Sequence, residues 1–147
     1  MSPDVDVVTE IVIARPAEVV ASYASDPNNA PRWYVNITTV EWKTSPPLAV
    51  GSQIAFVASF LGRRLAYTYE IKELILPERL VMVTSQGPFP METSYAWRPV
   101  SDAATRMVLR NRGTPSSFSR FVAPFIARAM RRANQKDLAL LKSILER

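Results

Sequence analysis

The 147-residue chain has no histidine and no cysteine. Those two absences remove more chemistry than any residue present adds. Histidine is the usual general base near neutral pH and the commonest metal ligand. Without it and without a thiol, a Ser-His-Asp triad, a Cys-His dyad, an ordinary zinc site and a disulfide framework are all excluded. What remains for catalysis is carboxylate, tyrosine, lysine or arginine chemistry. No close spacing of Asp and Glu proposes an all-oxygen Mg²⁺ or Ca²⁺ site, so no cofactor is expected. Long apolar runs are missing too: nothing approaches the roughly eighteen residues of a membrane span, so no stable membrane insertion is expected. The start, Met1-Ser2-Pro3-Asp4, is acidic and polar rather than basic and then apolar. A cytoplasmic protein is the expectation.

Hydrophobic residues make up 48% and charged residues 21% of the chain, which suits one globular domain spanning 1–147. A β-branched run at 7–13 reads as a strand. Pro16 then opens a helix through 24, with Val19, Val20 and Tyr23 at helical spacing. Asp26-Pro27 stops it, because a residue before proline avoids the α region. The stretch 28–34 reads as a short second helix or turn. Six further strands follow, at 37–43, 51–60, 64–74, 80–85, 92–99 and 105–111, separated by turn residues such as Gly62, Pro77 and Gly87-Pro88. Short loops between seven strands favour an antiparallel sheet in an α+β fold.

Alternation along the strands assigns their faces. Ile54, Phe56, Ala58 and Phe60 share one phase, as do Leu65, Tyr67, Tyr69 and Ile71 on the next strand. Tyr95 and Trp97 stand opposite Ser94 and Arg98, and Met107 and Leu109 opposite Arg106 and Arg110. A wide aromatic face therefore needs a cover, supplied by a helix over about 116–146. Ser116 or Ser117 caps its start, and Phe118, Phe121, Val122, Phe125, Ala129 and Ala133 form its apolar stripe, followed by Leu140, Leu141 and Ile144. Pro124 either opens a fresh helix or kinks a continuous one.

This order of elements resembles the START-like (SRPBCC) superfamily, in particular its polyketide cyclase/dehydrase and lipid transport branch. The resemblance is carried by Ala14-Arg15-Pro16-Ala17-Glu18-Val19-Val20, by Asp26-Pro27 through Trp33, and by Val50-Gly51-Ser52. Further along it rests on Glu70-Ile71 through Pro77-Glu78-Arg79-Leu80, on Tyr95-Ala96-Trp97-Arg98-Pro99-Val100, and on Leu138 to Glu146. The turn Asp102-Ala103-Ala104 departs from it by lacking a glycine. The resemblance implies a helix-grip fold: a curved seven-stranded antiparallel sheet wrapped around a long C-terminal helix, with two short helices after the first strand. It also implies a cavity for a lipid, polyketide or similar hydrophobic molecule.

The candidate ligand-binding residues are Phe56, Phe60, Tyr67, Tyr69, Tyr95, Trp97, Met107, Phe121 and Phe125, with Asn111 as the polar anchor on the inner phase near a strand end. Arg98 and Arg110 fall on the outer face, as do Glu10 and Glu92, which argues against acid–base work by either carboxylate. No catalytic set emerges. From residue 103 onward ten cations face only Asp137 and Glu146. That field suits anionic lipid headgroups or RNA, yet no aromatic residues interleave with Arg128-Ala129-Met130-Arg131-Arg132 as single-strand readers require. No DNA partner is expected. The loop 86–91 is either a cavity lid, a homodimer contact or a tucked hairpin tip. Three functions stay open: a carrier or sensor of a hydrophobic small molecule, a cyclase- or dehydratase-like enzyme, and an interaction module using the basic helix.

Overall fold

In the computed structural model the described residues are 5–87, 89–114 and 123–147. The seven strands β1 (Val5–Ile13), β2 (Ile37–Trp42), β3 (Gln53–Phe60), β4 (Arg63–Ile75), β5 (Arg79–Gln86), β6 (Met91–Ser101) and β7 (Ala104–Gly113) form one antiparallel sheet. Their order is β1-β7-β6-β5-β4-β3-β2, so the first two strands in sequence are the two edges. The connection between those edges carries α1 (Ala17–Ser25), a 3-10 turn (Pro27–Asn29) and α2 (Ala30–Trp33) across one end of the sheet. The long helix α3 (Ala123–Leu145) covers the inner face. This is the α+β helix-grip arrangement.

The faces follow the alternation. Val5, Val7 and Thr9 of β1 point inward and Asp6, Val8 and Glu10 outward; on β6 the inward set is Met91, Thr93, Tyr95 and Trp97. α1 ends at Asp26, whose extended backbone precedes Pro27 and whose Oδ1 accepts from the Asn28 N–H at 3.0 Å.

The helix α3 differs from the sequence reading in rotation. Its buried residues are Ala123, Ile126, Met130, Asn134, Asp137, Leu138, Leu141 and Leu145. The expected stripe through Phe125, Ala129 and Ala133 lies one residue, or about 100°, away from that face. Two polar residues inside the buried face misdirect a hydrophobic pattern. Pro124 occupies the second position of α3, where a missing N–H costs nothing. The expected caps Ser116 and Ser117 lie outside the described residues, as do Phe118 and Val122.

The C-terminal half of α3 is fastened to the end of β1. Arg15 Nε donates to Leu145 O at 2.6 Å, the Ala14 N–H donates to Glu146 Oε2 at 2.7 Å, and Lys142 Nζ donates to Val12 O at 2.9 Å. Leu138 and Leu141 are fully buried there.

The β3–β4 hairpin turns on two residues, Leu61 and Gly62, with φ of 52° and 75°. Both central positions of such a turn need positive φ, which suits Asn-Gly and strains a leucine. Leu61→Asn is therefore expected to stabilise the chain by about 1 kcal/mol, read as a higher urea midpoint at unchanged m. A lower midpoint would show that the exposed leucine side chain is held by contacts outweighing its backbone strain.

Candidate functional site

The sheet and α3 do not close on each other completely. Between them lies a cavity of ≈ 160 Å³. β3 supplies Ile54, Phe56 and Ala58, β4 supplies Tyr67, Tyr69 and Ile71, and β5 supplies Leu80 and Met82. Thr93 and Tyr95 come from β6, Asn111 from β7, and Met130, Ala133, Asn134 and Asp137 from α3. Tyr67 can lie flat on the backbone at residue 87 because Gly87 is bare: a Cβ there would stand 2.6 Å from the tyrosine Cδ1. Phe89 and Met91 are buried and line the cavity, so this part of the loop is tucked onto the body; Pro88 is outside the described residues.

Of the residues singled out from the sequence, Phe56, Phe60, Tyr67, Tyr69, Tyr95 and Asn111 meet around this space. Trp97 and Met107 do not. Both are buried and share the inward phase, but they pair with each other further along the sheet, at the end that α1 covers. Alternation identifies a face and says nothing about position along a strand. Phe125 is 70% exposed and faces away from the sheet, because the inward face of α3 runs through Ile126 and Met130 instead. Phe121 lies outside the described residues. Arg98 is exposed, Arg110 pairs with Asp6 at 2.7 Å, and Glu92 pairs with Arg112 at 2.9 Å, all on the outer face.

Two sets of polar groups interrupt the apolar walls. In the first, Thr93 Oγ1 donates to Asn111 Oδ1 at 2.7 Å, which leaves the Tyr69 hydroxyl to donate to Thr93 Oγ1 at 3.1 Å. Burial pushes the Tyr69 phenol up to about 12, with the Thr93 contact opposing it. In the second, the hydroxyls of Tyr34 and Tyr95 are hydrogen-bonded to each other beside Asp137. Burial holds both phenols well above the ordinary tyrosine range.

Asp137 is 3% exposed, and its Oδ1 accepts from the Val35 N–H at 2.9 Å. Burial raises its carboxyl to about 6, against the lowering effect of that backbone donor. Asn134, one turn earlier, is buried with its Nδ2 lacking any hydrogen-bond partner among the described residues. A buried amide N–H without a partner is costly.

Tyr34, Thr93, Asn134 and Asp137 were not legible as site residues. The one signal for the last two is their spacing: Met130, Asn134, Asp137, Leu138 and Leu141 recur at three and four residues, so the polar pair belongs to the same face as the leucines.

The family model described as polyketide cyclase / dehydrase and lipid transport matches residues 4–146. Among solved structures, TTHA0849 from Thermus thermophilus superposes with a TM-score of 0.81 at 19% identity, covering 95% of this chain and 96% of that one. A START superfamily protein from Mycobacterium smegmatis gives 0.81 at 15% identity over 96% and 97% of the two chains. The Zhui aromatase/cyclase from Streptomyces sp. R1128 gives 0.79 at 15% identity over 97% and 93%. At these identities the likeness is one of fold. No curated protein matches the sequence.

The raised carboxyl sets a pH dependence. Folded Asp137 holds its proton up to about pH 6, whereas the unfolded side chain releases it near 3.8. The folded state therefore binds more protons between those values, and stability contributed by this group falls as pH rises through that window. Asp137→Asn keeps an acceptor for Val35 and removes the buried charge. Its stability relative to wild type should be roughly 2–3 kcal/mol more favourable at pH 8 than at pH 3.5, measured by urea denaturation at both. A pH-independent difference would contradict the assignment.

Proposed function

The chain belongs to the polyketide cyclase/dehydrase and lipid transport family of the START-like superfamily, and on that premise we propose that it binds a hydrophobic small molecule in the cavity beneath α3. The observation that carries this reading is the cavity itself, apolar along the sheet with Thr93, Asn111 and Asn134 as polar residues in its wall. A dry apolar cavity of about 150 Å³ holds a benzene-sized molecule. The ≈ 160 Å³ here therefore suits one ring, or a comparable length of acyl chain, with a carbonyl or hydroxyl turned towards Asn134. Phe56, Tyr67, Tyr69 and Tyr95 are the proposed ring contacts, and Thr93–Asn111 a second polar end.

Burying one ring of about 150–200 Å² is worth roughly 4–5 kcal/mol, a Kd of order 0.2–1 mM for the ring alone. Indole and p-cresol should bind at that level by ligand-observed NMR. Ala133→Trp, which places a bulky side chain at the cavity's edge on α3, should abolish the binding without lowering Tm. Unchanged binding in that variant would remove the cavity as the site.

A second reading, turnover by acid–base catalysis, is favoured by one observation: a carboxyl held at about 6 beside the cavity. An activity resting on it should rise or fall around pH 6 and disappear in Asp137→Asn while p-cresol still binds. Turnover that survives in Asp137→Asn would leave the carboxyl a structural group.

A further inference from the structure

The cavity continues outward. Asn36, Phe60 and Ala133 line both it and a wider groove of ≈ 500 Å³ at its edge. Two features of that groove have no use in a simple cover. The first is charge. Arg128, Arg132 and Lys136 stand at successive four-residue steps, a single ridge of α3 bordering the groove. Among the described residues none of the three forms an ion pair. Like charges at this spacing repel, and the one carboxylate within α3, Asp137, is turned inward. The second feature is apolar exposure. Val35, Leu61 and Phe125 are 57%, 63% and 70% exposed, and all three wall the same groove. Leu61 is presented there by a left-handed backbone that suits asparagine better. An apolar wall facing a row of unpaired cations, joined to an apolar chamber, is the complement of a molecule with a greasy end and an anionic end.

We propose that the ligand is an anionic amphiphile whose ring or chain end enters the cavity while its carboxylate or phosphate lies in the groove against Arg128, Arg132 and Lys136. The inference rests on the cavity reading above and adds the chemical class of the ligand. The cavity fixes size and the groove fixes charge.

The test pairs 4-phenylbutanoic and 6-phenylhexanoic acids with their neutral primary amides, titrated by calorimetry at 20 mM and 500 mM NaCl. At low salt one of the acids should bind about tenfold tighter than its amide, with the gap closing at high salt. In the triple variant Arg128→Gln, Arg132→Gln, Lys136→Gln the gap should vanish while the amide's affinity and the Tm stay as in wild type, since all three positions are helical and glutamine suits a helix. Acid and amide binding alike in wild type would overturn the anionic subsite and leave the cavity intact. Failure of all four compounds would instead remove the cavity reading. Sedimentation with vesicles of phosphatidylcholine and phosphatidylglycerol (7:3) separates the sources of the anion. Vesicle binding that needs the three cations, without any preference for acid over amide, would reassign the ridge to a membrane surface and overturn the proposal.

Discussion

One helix has to cover a sheet that is wider than it is. An α-helix with its side chains is about 10–12 Å across, whereas seven strands at a spacing of about 4.8 Å span roughly 29 Å. Most other features follow from that mismatch. The sheet curves towards α3, and the α1–α2 connection, crossing from one edge strand to the other, fills one end. Trp33 of that connection is sealed in the interior, as are Trp97 and Met107 of the sheet. The remaining width has no backbone element to occupy it. Aromatic side chains from β3, β4 and β6 narrow the gap, and the part they leave is the cavity.

The helix is held unevenly along its length, and the cavity lies under its N-terminal half. Its C-terminal half has leucines on the sheet and three hydrogen bonds to the end of β1 and the residues that follow. Asp137 marks the change, joined to the Val35 N–H just after α2. Before it, Met130, Ala133 and Asn134 line the cavity. A carboxylate at this boundary is an expensive way to fix a helix. Desolvation disfavours its charge, and among the described residues no cation pairs with it, so it keeps its proton to about pH 6. Asn134 adds a second unmet demand one turn away. A core selected only for stability would carry apolar residues at both positions. Both line the cavity wall.

The strands were readable because their signal is redundant. Alternation on four strands fixed which face is dry, and turn residues marked the breaks between strands. An antiparallel α+β sheet followed, while the helix-grip arrangement came from the resemblance. Position within the face was not readable. Tyr95 and Trp97 share a phase and a strand, yet the first lines the cavity and the second is buried away from it, a distinction set by tertiary neighbours alone. The helix failed for a different reason. Phe125 continues the spacing of Phe118, Phe121 and Val122 in the sequence, and Asn134 and Asp137 look like solvent residues, so the pattern favours a face turned by one residue. The observed face is held by Leu138, Leu141 and Leu145 and by the Val35–Asp137 hydrogen bond, a contact between residues 102 positions apart that no local pattern contains.

That rotation has consequences on both sides of α3. Turning the helix so that Ile126 and Met130 face the sheet brings the polar pair Asn134 and Asp137 into the interior. The same turn leaves Phe125 outside, in line with Val35 and Leu61, and sets Arg128, Arg132 and Lys136 beside them. Interior polarity and exterior apolarity are thus one event seen from two faces. Each alone is unfavourable: a buried amide without a partner, and a phenylalanine in water. They meet at Ala133, the small residue that borders both the cavity and the groove. A molecule lying across that residue, as proposed, would give Phe125 an apolar neighbour. On the reading proposed above, the two departures from ordinary burial are the two ends of one elongated surface, narrow inside the protein and charged on the helix.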